Sequence, residues 1–257
     1  MYYALTVLLS LFISTNAFAK LHTEVVEYKQ GDTVLEGYLA YDDAVKGKRP
    51  GVLVVHEWMG LGNYAKMRAE KLAGLGYVAF AADIYGKGIR PQNTDEAGKL
   101  ATSYKSNRSL LRERVLAGLD VLKNNKLTDL KRIAAIGYYF GGTTVLELAR
   151  SGADVAGIIS FHGGLSTPTP EDAKNIKAKV LVLHGANDPY VPAEEVSAFQ
   201  KEMRDAGVDW QFIFYSKTVH SFTNPDAGND PSKGAAYNKI SDQRSWQAMK
   251  DFFAEIF

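Results

Sequence analysis

The stretch AAIGYYFGGTT, Ala134–Thr144, decides the fold. An apolar run ends at Gly137, a glycine-flanked turn follows, and a helix-forming segment begins. Gly137-Tyr138-Tyr139-Phe140-Gly141 fits the frame G-x-nucleophile-x-G. That frame makes a sharp strand-to-helix turn and lifts a reactive side chain above a parallel sheet. Serine or cysteine is its usual third residue; here it is Tyr139. Gly137, Gly141 and Gly142 permit the strained turn and close strand–helix packing.

On both sides of this turn the chain alternates strand-like and helix-like segments. TEVVEYK and TVLEGYLAY alternate apolar and polar residues, as half-exposed antiparallel strands do. GVLVVH (Gly51–His56), YVAFAAD (Tyr77–Asp83), RIAAIG (Arg132–Gly137), VAGIISFHG and KVLVLHG are near-continuous apolar runs, as expected of strands covered on both faces. NYAKMRAEKLAGLG reads as a helix capped by Asn63 and ended at Gly76. A long helical pattern ends near Asn124-Asn125. GTTVLELARSG, AEEVSAFQKEMRDAG and a segment near Asp242–Phe257 are further helices, and WQFIFY is a strand. The pattern predicts one α/β domain with a mostly parallel central sheet and helices on both faces. Ligands of such sheets bind at the carboxyl ends of the strands.

The 257 residues are 46% hydrophobic with 30 basic and 29 acidic side chains, enough for one large core. A net charge of +1 gives no electrostatic case for nucleic acid as a partner. Ala4–Ile13 is an uncharged apolar run followed by Ala17-Phe18-Ala19, an A-x-A cleavage site. Residues 1–19 therefore read as a secretory signal peptide, although MYY carries no Lys or Arg. The mature domain, residues 20–257, is expected to be exported to the periplasm or secreted, with no membrane contact after cleavage, as a monomer. The chain has no cysteine, which excludes disulfides and thiolate metal sites.

His56, His162, His184 and His220 lie at or just after strand ends. The chain order nucleophile, acid, histidine is met by Tyr139, Asp188 and His220. Asp188 follows a buried strand in LHGANDPYVP, and His220 sits in the loop after the next one, in SKTVHSFTNP. In such a triad the acid orients the imidazole, the histidine moves the proton, and two backbone N–H groups hold the oxyanion. Taken singly, Asp188 is also what an Asx turn uses, and His220 is also a loop histidine. Their joint occurrence with the glycine turn favours chemistry.

VLVVHEWMGL, FAADIYGKG, GYYFGG, HGANDPYVP and HSFTNP together resemble the dienelactone hydrolase family of the α/β-hydrolase superfamily, across essentially the whole mature chain. The resemblance implies hydrolysis of a small-molecule ester or lactone without metal or organic cofactor. It implies Asp188 and His220 as triad members, Glu57 as a carboxylate beside the nucleophile, and the N–H groups of Trp58 and Phe140 as oxyanion hole. It also places Tyr85 and Arg90 as candidate substrate contacts. The sequence departs from the family twice. The family's cysteine position is Tyr139, and the arginine four residues after the histidine, which holds the carboxylate of dienelactone, is Asn224.

Tyrosine ionises near pH 10 against about 8.5 for cysteine, and its oxygen lies several ångströms farther from the backbone. In an unchanged pocket its ring would fill the acyl space, and its hydroxyl would overshoot the oxyanion hole. Three roles stay open. Tyr139 blocks the site, replaces the nucleophile, or leaves His220 to activate water. A non-catalytic protein that keeps the pocket and binds a small ligand is the alternative outside catalysis. Gly60–Ala65, GLGNYA, also fits a dinucleotide fingerprint with Asp83 about 20 residues on, but four residues separate the strand from its first glycine. There is no H-E-x-x-H and no cysteine to hold a metal.

Overall fold

The computed structural model describes residues 20–257; the signal-peptide reading of residues 1–19 lies outside them. Two ten-residue strands, β1 (Leu21–Gln30) and β2 (Thr33–Asp42), pair antiparallel in full register. Then come β3 (Arg49–Val55), α1 (Asn63–Gly74), β4 (Val78–Ala82), α2 (Thr94–Ser106), α3 (Arg108–Asn124) and β5 (Thr128–Tyr138). They are followed by α4 (Phe140–Arg150), β6 (Gly157–Phe161), β7 (Lys179–Gly185), α5 (Ala193–Ala206), β8 (Trp210–Tyr215) and α6 (Lys239–Ile256). One eight-stranded sheet runs β1-β2-β4-β3-β5-β6-β7-β8. From β4 to β8 every pairing is parallel, and only the β1 and β2 pairings are antiparallel.

The apolar runs predicted as central strands are buried on both faces. Leu53, Val55, Phe80 and Ala82 face the side packed by α2–α5, whereas Val52, Val54, Ala79 and Ala81 face α1 and α6. That alternation is the two-residue period of a strand. Parallel register also aligns the strand ends: Val55 stands beside Gly137, Tyr138 beside Phe161, and Phe161 beside Leu183. Residues just after those ends therefore meet on one edge of the sheet.

Two local readings are corrected. Asn63 is the first helical residue of α1 and Gly62 occupies the cap position, with no side-chain cap. The long helical pattern is two helices. Asn107 accepts from the Leu110 N–H and caps α3 where α2 ends. A short polar side chain that competes for backbone donors starts a new helix there rather than continuing the old one. Gly76 does close α1, at φ +91°. Among the described residues no helix is long and apolar enough to cross a membrane.

Candidate active site

Tyr139 sits between β5 and α4 at φ 56°, ψ −113°. A non-glycine residue there is strained, and it is held because its surroundings over-determine it. Its N–H donates to Phe161 O at 3.1 Å, and its carbonyl accepts from the Gly142 N–H at 3.0 Å. The flanking glycines have a steric reason. A Cβ on Gly137 would lie 2.0 Å from Gly141 O, and one on Gly141 would lie 2.3 Å from Val55 O. The turn exists only because the backbones of β3, β5 and α4 touch.

His220 is buried, and its Nδ1 lies 2.5 Å from Asp188 Oδ2. The second carboxylate oxygen of Asp188 accepts from the Tyr190 N–H at 2.9 Å, so the acid is fixed on both sides. The backbone of His220 is pinned between Gly234 O and the Ala236 N–H. Its Nε2 is buried and has no hydrogen-bond partner. The ring beside it is that of Tyr139, 4.4 Å between centroids at 86°. The Tyr139 ring is also stacked on Trp58, at 5.2 Å and 18°. Tyr139 thus meets His220 as an aromatic ring and not as a hydroxyl hydrogen-bonded to its base.

Tyr139 is pushed up to about 12, first by burial and then by the nearby Tyr190, Glu57 and Asp188. This is the opposite of what activates a nucleophile. Glu57 is pushed up to about 7, chiefly by burial; Asn224 and Arg68 pull it down and Asp226 pushes it up. Its Oε2 accepts from Asn224 Nδ2 at 2.6 Å, and its Oε1 is shut off from solvent without a partner. Near neutrality Glu57 is therefore divided between acid and carboxylate.

Phe140 is the first residue of α4, so its N–H has no helical carbonyl to bond. Among the described residues, neither it nor the Trp58 N–H donates to a turn or loop carbonyl. Phe140 directly follows Tyr139 and the Trp58 ring stacks on it, so both N–H groups belong to residues at the turn. The cavity at the turn, lined by Lys105, Tyr139, Phe140, Thr143, Tyr190 and His220 among others, has a volume of about 60 Å³. That is room for only a few water molecules and well short of the ~300 Å³ at which small-molecule pockets begin. The Tyr139 ring takes the space.

Two expected substrate contacts are placed elsewhere. Tyr85 is buried, donates its hydroxyl to Trp58 O at 3.0 Å, and packs on His56 and Phe140. It is a strut beneath the site and not part of its wall. Arg90 donates to Leu61 O at 2.8 Å and Ile89 O at 2.6 Å, and lines a separate depression of about 440 Å³ with Leu100 and Lys99. Its Nε and Nη1 are held by backbone carbonyls and Nη1 lies 3.7 Å from Asp83 Oδ1, so this arginine is held apart from Asn224. Asp83 is likewise engaged. Its carboxylate accepts from the N–H groups of Glu36, Tyr85 and Gly86 and is fully buried, out of reach of a nucleotide ribose. Sequence reasoning missed Lys105 and Tyr190 at the cavity and Thr223 beside His220; none has a local pattern that marks it.

The model of the dienelactone hydrolase family matches residues 35–257. The protein named usf of Aquifex pyrophilus is 31% identical over 236 residues, covering 90% of this chain and 98% of that one. The solved structure named m3DLH superposes with a TM-score of 0.89 at 43% identity, covering 92% of this chain and 99% of that one. A dienelactone hydrolase-like promiscuous phosphotriesterase from metagenomic libraries superposes with a TM-score of 0.88 at 40% identity, covering 93% of this chain and 100% of that one.

Proposed function

The chain belongs to the dienelactone hydrolase family, and we propose that it hydrolyses small carboxylic esters or lactones at the Glu57–Tyr139–Asp188–His220 site, with turnover held low by Tyr139. The observation that carries this is His220: its Nδ1 is fixed on Asp188 and its Nε2 is buried and unpartnered at the turn. An imidazole so held is ready to take a proton from whatever stands at Nε2. The phenol of Tyr139 is a poor candidate, because it is not hydrogen-bonded to Nε2 and its ionisation is pushed up to about 12.

Water is the better fit. His220 takes one proton from water as its oxygen bonds the substrate carbonyl carbon. The Trp58 and Phe140 N–H groups hold the oxyanion. The C–O bond to the leaving group then breaks, and His220 returns the proton to the departing alkoxide. Glu57 is a nearby carboxyl that can hold or release a proton around neutrality. Substrate entry requires the Tyr139 ring to move off His220.

Hydrolysis of p-nitrophenyl acetate by this chain, Tyr139→Phe and His220→Ala tests the reading. Loss in His220→Ala with retention in Tyr139→Phe supports water activation by His220. Loss in Tyr139→Phe instead identifies a tyrosine nucleophile. The named activity of the phosphotriesterase relative makes a p-nitrophenyl phosphotriester the second substrate to assay.

A second reading, a ligand-binding protein without turnover, is favoured by the lack of any hydrogen bond between the Tyr139 hydroxyl and His220 Nε2, and it too requires the Tyr139 ring to move. Saturable binding of a lactone with no hydrolysis in any variant would support it. Export rests on the sequence of residues 1–19 alone. A mature N-terminus at Lys20 in protein recovered from the cell exterior or periplasm tests it.

A further inference from the structure

Thr223 lies between His220 and Asn224, in the segment that carries both the triad histidine and the partner of Glu57. It is fully buried. Its Oγ1 is 2.7 Å from His162 Nε2 and 2.6 Å from Tyr64 Oη. Its carbonyl accepts from Arg68 Nη2 at 2.7 Å. Arg68 is buried as well, bonded to Asp242 Oδ1 at 2.6 Å, with its Nε donating to Tyr64 Oη at 3.1 Å. The His162 ring stands 5.5 Å from that of His220.

Donor chemistry gives this chain a direction. A guanidinium only donates, so Tyr64 Oη accepts from Arg68. The Tyr64 O–H then donates to Thr223 Oγ1, and the Thr223 O–H donates to His162 Nε2. The proton of His162 is left on Nδ1, which has no partner. The reverse direction orphans the Tyr64 hydroxyl proton as well as His162 Nδ1, and buried orphans are costly. Burial, with help from His220 and Arg68, holds His162 well below the usual histidine range, so Nε2 stays an acceptor while His220 works.

We propose that Thr223 is a positioning residue: its hydroxyl joins Arg68 and Tyr64 on α1 to His162 after β6, and so fixes the segment that presents His220 and Asn224. For its effect on turnover this rests on the reading of His220 as the base. Among the described residues no other side chain of that segment hydrogen-bonds to both α1 and His162, although the Thr223 carbonyl also accepts from Arg68 and Phe222 packs on His162. Asp188 orients the His220 ring through Nδ1, whereas Thr223 locks the backbone three residues away from two further elements.

The test is Thr223→Val, which keeps shape and removes the hydroxyl, against Thr223→Ser, which keeps the hydroxyl. The downfield proton resonance of His220 Nδ1, bonded to Asp188, is read by NMR in the otherwise unaltered chain. Turnover of p-nitrophenyl acetate is read in the Tyr139→Cys protein. The Val variant is expected to broaden or lose the resonance. It should lower kcat roughly 10- to 100-fold with KM within about twofold, since small misplacements of a catalytic group have that effect. The Ser variant should keep both. Should Thr223→Val not fold, Tyr64→Phe removes one of the two bonds and should act in the same direction. Resonance and kcat unchanged in the Val or Phe variant overturn the proposal. If Tyr139→Cys is inert while the resonance separates Val from Ser, the hydrolase reading fails and the positioning role stands.

Discussion

Replacing Tyr139 by cysteine should raise ester hydrolysis about three orders of magnitude above any rate the Tyr139 phenolate supplies, and at least tenfold above the rate of the unsubstituted chain. Tyr139 titrates near 12 in this site, burial being the first cause. At pH 7.5 roughly 3 in 10⁵ phenols are ionised, against about 1 in 10 thiols at the reference value of 8.5. The ratio is about 3,000 before any geometric gain. The geometry adds to it. Cysteine removes the ring that stacks on Trp58 and covers His220. It also puts a thiol at the turn in place of the ring beside His220. The assay is kcat/KM for p-nitrophenyl acetate at pH 7.5, with mass spectrometry for the acyl-enzyme. Tyr139→Cys combined with His220→Ala is the control. A gain below about tenfold in a protein with unchanged Tm would refute the reasoning. So would an equal gain in the His220→Ala double variant, because the pre-set Asp188–His220 pair would then be irrelevant. In the unsubstituted chain, any phenolate-driven rate must climb about tenfold per pH unit toward pH 12; a flat profile between pH 7 and 9 removes that route.

Glu57 binds a proton in the folded chain up to about pH 7, whereas an ordinary glutamate releases it near 4.5. Its contribution to stability is therefore complete below about pH 4.5 and is lost as the pH rises to about 7, by on the order of 1–3 kcal/mol. Denaturation midpoints across that range should fall less steeply in Glu57→Gln; an identical slope would count against the buried carboxyl. Gly141→Ala drives a Cβ to 2.3 Å from Val55 O and 2.7 Å from His56 O, both backbone atoms that cannot step aside. It should cost about 3 kcal/mol or more in urea unfolding, and a loss under 1 kcal/mol would show that the turn relaxes. Arg150 is fully buried between Glu147 and Glu202, at 3.0 and 2.7 Å. Arg150→Met leaves Glu202 buried without its cation, for a loss of about 3–5 kcal/mol. Double substitution with Glu202→Gln should recover part of it, and no recovery would mean that the charge pairing is not the cause.

The fold was legible in the sequence because its signals are local. Buried strands read as continuous apolar runs, helices as amphipathic periods, and the Tyr139 turn as glycines at fixed offsets. Parallel pairing then leaves the residues after each strand no other place than one edge of the sheet. Tyr139, Asp188 and His220 could be gathered on that ground without coordinates, and Glu57 through the resemblance to the family. Side-chain partners are different, because they are chosen between residues far apart in the chain. Asn224 reaches Glu57 across 167 positions. Tyr85 and Arg90 looked available in their loops and are consumed by carbonyls of Trp58, Leu61 and Ile89. Only the packed structure shows that the Tyr139 ring covers His220 while its Nε2 has no partner. Sequence determined which residues stand at the turn. Burial and the loss of water around them decided that the phenol there is held neutral and that Glu57 titrates near neutrality, and packing set an aromatic ring beside His220.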